Sequence, residues 1–256
     1  MTDAERRITA FERALSERLS TRTRPTAFGT AYFHDEFPRR YDSNYLWIDA
    51  PLGGVSAQML AAEADRAQAG LGHRQLTYVT DGPDARRLAP ELLSLGYKGE
   101  RLVTMVQDRE PDTWNDGLAE EVGAGDVGPF LVRVNREADA SLVAADAEML
   151  SAFRHVLAER AGARFFVVRT GAEIVAIAEV YVLGDVAQVE AVYTLEAFRG
   201  RGFGRAAVLA ASRAARDAGA DLVFLDADDE DWPKELYGKL GFDELVRFWS
   251  FVKSPD

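Results

Sequence analysis

The stretch from Tyr193 to Leu209, YTLEAFRGRGFGRAAVL, combines residue types that suit the binding of an anion. Glycines alternate with arginines and a phenylalanine, and a run of good helix formers follows. Glycine costs backbone entropy, so a cluster suggests that the backbone must approach something closely. The start of a helix also presents free N–H groups and a partial positive charge. The stretch therefore predicts an anion site, most often one for phosphate.

Three kinds of phosphate loop can be compared with this stretch. A P-loop requires Gly-Lys-Ser/Thr, which is absent. A dinucleotide fingerprint can be written as Gly202-x-Gly204-x-x-Ala207, with Asp226 on the next strand, but its glycines do not follow a strand directly. The third pattern is Arg-x-x-Gly-x-Gly, formed by Arg199, Gly202 and Gly204. A flexible turn without a ligand is the alternative to all three.

A second motif, LYGKLGF from Leu236 to Phe242, follows at the end of the chain. With Arg-x-x-Gly-x-Gly after the strand AVYTLEAF and this motif behind it, the sequence resembles the GCN5-related N-acetyltransferase (GNAT) family. The resemblance covers Ala119 to Lys253 well. It departs from the family pattern where Glu196 replaces a proline and Glu230 replaces an asparagine that often precedes the helix.

The resemblance implies a site for acetyl-CoA. No cluster of His, Asp and Glu residues has the spacing of metal ligands, so no metal is expected. The CoA pyrophosphate would meet a nest of backbone N–H groups at the helix start, with arginines adding charge-assisted contacts. The preceding strand would splay from its neighbour and pair with the pantetheine arm like an added strand. The cofactor-binding residues implied are Val192, Tyr193, Thr194, Arg199, Gly200, Arg201, Gly202, Phe203, Gly204 and Arg205.

The resemblance also implies catalytic roles for two side chains. Tyr237 would be the general acid near the CoA sulfur, because a phenol suits donation to a departing thiolate; a core tyrosine is the alternative. Glu190 would be the general base, with Glu179 as a fallback; a solvated glutamate, or a base acting through water, is the alternative. A backbone N–H in Tyr193 or Thr194 would stabilise the oxyanion. The single histidine of this half, His155, lies on a predicted helix and is expected to be structural.

The two halves of the chain look like copies of each other. Aligning LGYKGERLVTMV with LGFDELVRFWSF places Tyr97 under Phe242, and the same offset places Trp47 under Val192 without a gap. Arg199 then falls on Gly54, so the first half keeps the frame and loses the phosphate loop. The expected fold is α/β (α+β) with two tandem GNAT-like domains, each a mixed, largely antiparallel sheet flanked by helices. The expected domains are 1–110, degenerate and without the CoA loop, and 117–256, which holds the acetyl-CoA site.

Hydrophobic periodicity predicts the elements that position these residues. In the first half, the strands AFGTAYFH and NYLWID follow a helix, and the polar linker QDREPDTWNDG ends the half. In the second half, strands form a meander with a turn at Gly184–Asp185. A helix with Asp231 as N-cap and Pro233 in its first turn is the favoured interpretation of DADDEDWP; an acidic loop that attracts a cation is the alternative. Helices are expected near residues 2–20, 56–69, 83–95, 127–136, 141–160, 204–218 and 232–240.

Composition limits the class of protein. The 256 residues carry a formal net charge of −12, which disfavours nucleic acid as the main partner and tolerates an amine substrate. The absence of cysteine excludes disulfides and thiolate metal sites and fits a reducing compartment. No secretory signal or membrane span is expected, so the predicted location is cytoplasmic, as a monomer or homodimer. The leading function is acetyl transfer from acetyl-CoA to a primary amine of a small molecule or peptide. The alternatives are a non-catalytic acetyl-CoA-binding regulatory module and, discounted on strand order, a nicotinamide-dependent oxidoreductase.

Overall fold

The structure is a computed structural model that describes residues 1–114, 116–140 and 142–254. The helices in these residues are α1 (Asp3–Leu19), α2 (Ala57–Ala67), α3 (Pro83–Ser94), α4 (Ala124–Ala138), α5 (Ala144–Ala161), α6 (Phe203–Asp217) and α7 (Pro233–Lys239). The strands are β1 (Arg22–Thr26), β2 (Gly29–Phe33), β3 (Tyr45–Ile48), β4 (Arg74–Thr80), β5 (Lys98–Gln107), β6 (Ala119–Val122), β7 (Arg164–Thr170), β8 (Glu173–Leu183), β9 (Val186–Thr194), β10 (Leu222–Asp228) and β11 (Phe242–Lys253).

The chain divides into two compact units. The motif unit, which contains both sequence motifs, consists of Met1–Arg18, Met105–Asp226 and Trp232–Glu244. The companion unit consists of Leu19–Thr104, Ala227–Asp231 and Leu245–Asp256. Each unit therefore gathers segments that are distant along the chain. The domain boundaries drawn at residues 110 and 117 stay a prediction.

The motif unit is built on strands in the order β10–β9–β8–β7–β6. All neighbours are antiparallel except β9 and β10, which are parallel and connected through α6. The central strand β8 is buried along most of its length, as expected of a strand covered on both faces. Helix α6 packs against β8 and β9 with a row of small buried residues, which lets the helix lie close to the sheet. This packing fixes the position of the helix start relative to the end of β9.

The companion unit contains strands in the order β1–β2–β3–β4–β11. Strands β3 and β4 are parallel and connected through α2, while the other pairs are antiparallel. Its core is a continuous apolar cluster that includes Leu46, Leu60, Leu76, Leu88 and Phe251. A mixed, largely antiparallel set of strands with flanking helices thus occurs in each unit, and the α/β fold class is confirmed.

Most predicted elements are present within a few residues of their expected bounds, but β1 has no counterpart in the sequence prediction. Its sequence, RTRPT, is largely exposed and contains Pro25, features that occur on edge strands and weaken the strand pattern. The pairing of Arg22 with Phe33 and of Thr26 with Gly29 nevertheless makes it the partner of β2. Among the described residues, no helix combines the length and the apolar character that crossing a membrane requires.

Candidate active site

The parallel strands β9 and β10 separate in the motif unit. The first pair in their ladder is Val186 with Leu222, and the last pair is Gln188 with Phe224. Beyond it, β9 continues to Thr194 and β10 continues to Asp228. Over the described residues, no pairing with β10 follows Gln188. The backbone groups of residues 189–194 on the β10 side therefore take no part in that ladder. The expected splay of this strand is present where the sequence analysis locates Val192, Tyr193 and Thr194.

A bulge changes the course of β9 within the splay. The pairing with β8 shifts between Glu179, which faces Glu190, and Ile177, which faces Tyr193. At this point Ala191 has a φ of +50°, an uncommon value for a residue with a side chain. A bulge bends its strand and re-aims the backbone, and such strain concentrates at functional sites. Alanine carries no sequence signal for this conformation.

The glycine loop has the backbone geometry of an anion nest. Gly200 and Gly202 have φ values of +73° and +81°, and a Cβ added at either position would meet no atom within 4 Å. Their role is therefore conformational, and the space beside them is open. Gly202 is the N-cap of α6 and offers no side-chain cap to the first N–H groups of the helix. The helix start, with Phe203 as its first residue, is available to an external anion.

Gly204 has a different role from the other two glycines. A Cβ at this position would lie 2.9 Å from Oγ1 of Thr194, closer than real Cβ contacts come. A larger residue at position 204 would therefore require the Thr194 side chain to move. The absence of a side chain at Gly204 lets the first turn of α6 lie close to the end of β9.

Arg199 and Arg201 of the loop each donate a hydrogen bond to a nearby backbone carbonyl oxygen. Arg199 donates from Nε to the carbonyl oxygen of Thr194 at 3.1 Å, and its guanidinium lies 5.7 Å from the Tyr193 ring centroid. Arg201 donates from Nη2 to the Ala197 carbonyl oxygen at 3.3 Å. A guanidinium has five N–H donors, so both side chains retain donors for a phosphate.

Arg205 contacts the linker. Its Nη2 donates to the carbonyl oxygen and to Oγ1 of Thr113, at 3.1 and 2.9 Å. Further along α6, the guanidinium of Arg213 lies over the ring of Trp114, 4.8 Å from the ring centroid. The segment that the sequence pattern presents as a plain linker therefore packs along α6; Asn115 of this segment lies outside the described residues.

Tyr237 is held on α7 with its side chain buried, 7% exposed. Its ring packs edge-on against Phe242, with 6.2 Å between centroids. Within the described part of the chain its hydroxyl forms no hydrogen bond. Burial, and secondly the carboxylate of Glu190, raise the pKa of Tyr237. The phenol therefore keeps its proton throughout the neutral range and is close enough to Glu190 to sense its charge.

Glu190 lies half-buried on β9, directly before the bulge. Gln188, two residues earlier on the same face, donates from Nε2 to Oε2 of Glu190 at 3.0 Å. The charge of Glu190 reaches the phenol of Tyr237, although the two residues are far apart in sequence. They lie on elements that flank the splay of β9 and β10.

Glu179, the fallback base, is fully buried on β8 and belongs to a polar cluster. It forms an ion pair with Arg154 of α5, and Tyr181 donates its hydroxyl to Oε2 at 2.7 Å. Burial, followed by the Glu179 charge, raises the pKa of Tyr181 well above its usual value. Sequence reasoning missed Arg154 and Tyr181. A carboxylate within the apolar run EIVAIAEVYVL was the available signal that a buried partner exists.

The acidic segment before α7 is organised differently from the prediction. The N-cap of α7 is Trp232, without a side-chain cap, so the assignment of Asp231 as N-cap is wrong, whereas Pro233 does occupy the first turn. In the companion unit, Asp229 is buried and ion-paired with Arg101 and Arg247, both at 2.9 Å. No sequence pattern indicates these ion pairs, because Arg101 is distant along the chain from Asp229.

The remaining titratable candidates do not assemble into a metal site. His155 is exposed on α5, while His34 and His73 are buried in the companion unit. Burial lowers the pKa of His73, which stacks on Tyr41 with 4.0 Å between ring centroids. No group of three or more His, Asp or Glu side chains able to hold a metal occurs among the described residues.

Comparisons with known proteins relate this geometry to other chains. The model of the acetyltransferase (GNAT) family matches residues 133–242. A GCN5-related N-acetyltransferase from Kribbella flavida has a TM-score of 0.62 at 17% identity, covering 99% of this chain and 96% of that one. A functionally unknown conserved protein from Staphylococcus epidermidis has a TM-score of 0.70 at 16% identity, with 91% and 93% covered.

A tandem GNAT protein from the clavulanic acid biosynthesis pathway is also similar, with a TM-score of 0.51 at 14% identity and 77% and 69% of the chains covered. At these identities the solved structures share the fold. No curated protein matches the chain. The matched residues 133–242 include the splayed strand β9, the glycine loop, Glu190 and Tyr237. Residues 133–242 therefore match the acetyltransferase (GNAT) family, which supports the assignment of the chain as an acyltransferase enzyme.

Proposed function

We propose that this protein transfers an acetyl group from acetyl-CoA to a primary amine of a small molecule or peptide, by direct attack of the amine on the thioester. The observation that carries the proposal is the convergence of four features on the splay of β9. These are the free strand edge, the uncapped start of α6, the protonated phenol of Tyr237 and the carboxylate of Glu190. An acetyltransferase needs a feature of each kind.

The loop fits the diphosphate of CoA. The open space beside Gly200 and Gly202 leaves the N–H groups of the nest accessible, and Arg199 and Arg201 supply positive charge next to them. The β10 side of residues 192–194 offers backbone groups to the amides of the pantetheine arm. When bound there, acetyl-CoA supplies the activated acetyl group.

The side chains near the splay divide the proton transfers between them. The neutral amine forms the new N–C bond with its free lone pair, and Glu190 accepts the proton that the nitrogen then loses and releases it to solvent. A backbone N–H of Tyr193 or Thr194 stabilises charge on the thioester oxygen. Tyr237 donates its proton to sulfur as the C–S bond breaks, and it regains a proton from solvent. The proton lost by nitrogen and the proton gained by sulfur balance.

The test is an acetylation assay on a panel of primary amines. The purified chain is incubated with acetyl-CoA, and both free CoA thiol and acetylated amine are measured by mass spectrometry. We expect equal amounts of the two products with wild type and none with Gly202→Asp/Gly204→Asp, which blocks the nest and adds repulsive charge. Binding of acetyl-CoA without product from any amine would instead identify a regulatory module.

A further inference from the structure

Among the described residues, Arg154 lies in a polar cluster with two carboxylates, those of Glu179 and Glu190. Glu179 and Glu190 are directly opposite each other on the antiparallel strands β8 and β9, so both side chains project from the same face. Arg154 comes from α5 and forms an ion pair with Glu179. Phe153 and Leu157 of the same helix are buried, and the Arg154 side chain is 15% exposed.

Two carboxylates in such positions interact unfavourably. Like charges directly opposite on neighbouring strands destabilise the pair, and one of two adjacent carboxyl groups normally retains its proton. Glu179 is fully buried, which adds to the cost of its charge. A guanidinium beside Glu179 removes both penalties. Burial lowers the pKa of Arg154, but the opposing charges of Glu179 and Glu190 outweigh this effect, so the pKa is raised.

We propose that Arg154 is a positioning residue for acetyl transfer, which neutralises Glu179 and thereby keeps the opposing Glu190 carboxylate ionised and ready to accept a proton. The inference rests on the proposed function, in which Glu190 is the base. Arg154 does not contact the reacting atoms in this scheme. It acts through the charge balance of the carboxylate pair.

The other groups facing Glu190 do not supply this balance. Gln188 on β9 is uncharged, and its amide orients one carboxylate oxygen. Tyr181 on β8 donates to Glu179, and its pKa is raised, so it stays neutral. Tyr237 on α7 is likewise protonated. Arg154 on α5 is positively charged and interacts with both carboxylates.

The experiment compares four proteins: wild type, Glu179→Gln, Arg154→Met and Arg154→Met/Glu179→Gln. For each, the acid limb of kcat/KM and the pKa of the Glu190 carboxyl, followed by carbon NMR, are measured. We expect the Glu190 pKa and the acid limb to rise by about one to three pH units in Arg154→Met. Both should fall in Glu179→Gln, where the arginine charge is unopposed. Both should return close to wild type in the double variant, and KM for acetyl-CoA should be unchanged.

The double variant keeps the test decisive if Arg154→Met does not fold because Glu179 is left buried and unpaired. Its difference from Glu179→Gln still isolates the charge of Arg154, since neither protein contains the Glu179 carboxylate. Arg154→Lys should restore most of the wild-type profile. Arg160→Met, an exposed position on the same helix, should change nothing.

A Glu190 pKa that is the same in Glu179→Gln and the double variant would overturn the inference. Failure of the proposed function gives a different pattern. If Glu190→Gln leaves kcat and the acid limb unchanged, Glu190 is not the base, while the NMR titration still reports whether Arg154 controls its ionisation. The two failures are therefore distinguishable.

Discussion

The hydroxyl of Tyr237 distinguishes a catalytic tyrosine from a core tyrosine. If it donates to the departing thiolate, its contribution is made mainly in the transition state. Tyr237→Phe keeps the buried ring, so acetyl-CoA affinity should remain near wild type, whereas kcat should fall by about 10²–10⁴-fold, the usual value of general acid catalysis. Steady-state kinetics and calorimetric binding of acetyl-CoA provide the two measurements. Wild-type kcat in this variant would assign the protonation of sulfur to water.

Tyr97, which aligns with Phe242 in the proposed repeat, provides a matched control. Tyr97 is equally buried, and burial raises its pKa to about 12. Tyr97→Phe removes a phenol of the same kind from the companion unit. We expect no loss of kcat, which would show that the effect at Tyr237 is not a general cost of deleting a buried hydroxyl.

Glu190 should control the alkaline limb of the pH profile as well as the acid limb. Burial and the Glu190 carboxylate both disfavour the phenolate, so each raises the pKa of Tyr237. Without the carboxylate the phenolate is less disfavoured, and the pKa falls. In Glu190→Gln, kcat should be reduced, and the remaining activity should decline at a lower pH than in wild type. An alkaline limb at the wild-type position would mean that the two side chains do not interact in the working enzyme.

Sequence alone predicts part of this residue-scale description. The glycine loop and Tyr237 are recognisable because each belongs to a short motif whose spacing the chain itself displays. Arg154 is not recognisable, because its partner Glu179 is distant in sequence and on a different element. Long-range ion pairs leave no local pattern.

At the scale of elements, the junction between β9 and α6 depends on Gly204. Ala normally stabilises a helix relative to Gly by about 0.5–1 kcal/mol, but here its Cβ would crowd Oγ1 of Thr194. Overpacking of this kind typically costs about 1–3 kcal/mol, so Gly204→Ala should lower the melting temperature. In a Thr194→Ala background the obstructing atom is absent, and the same substitution should be neutral or stabilising. Thermal unfolding of the four proteins measures this coupling; additive effects would mean that the contact is unimportant.

The elements that the sequence did not predict have identifiable reasons. Strand β1 lacks apolar alternation because it is an exposed edge strand that contains Pro25. The bulge at Ala191 is enforced by its neighbours, since alanine has no preference for a positive φ. Strands β7 to β9, by contrast, followed directly from their apolar runs and the Gly184–Asp185 turn. Local preferences therefore determine the regular elements, and tertiary contacts determine their irregularities.

At the scale of the whole molecule, the two halves share one series of elements, and the start of its helix differs between them. In each half a strand, a helix and a parallel strand follow one another, as β3–α2–β4 and β9–α6–β10. The start of α2 is satisfied internally. Ser56 accepts from the Met59 N–H at 3.2 Å, and Oε2 of Glu91 accepts from the Ala57 N–H at 3.4 Å. At the start of α2, a carboxylate of the chain itself thus accepts from a backbone N–H. At the start of α6, the N-cap Gly202 provides no side-chain cap.

This difference predicts one CoA site per chain. In the first half, Arg87 also donates to the carbonyl oxygens of Leu52 and Val55, so the loop before α2 is tied down by its own side chains. Titration calorimetry with CoA should give a stoichiometry of one, and CoA should raise the melting temperature through binding to the native state alone.

Two sets of variants locate that single site. Gly202→Asp/Gly204→Asp should abolish both the binding heat and the thermal shift. Ser56→Ala should leave the stoichiometry at one and cost about 0.5–2 kcal/mol of stability, because it removes a helix cap. Glu91→Gln, which removes the internal anion but keeps the shape of the side chain, should not create a second site. In the aligned first half, Gly54, Ala57 and Met59 stand where the loop has Arg199, Gly202 and Gly204. Two equivalent sites in wild type would contradict the prediction outright. A second site that appears only in Glu91→Gln would show instead that the chain's own carboxylate, rather than the missing glycines, keeps CoA out of the first half.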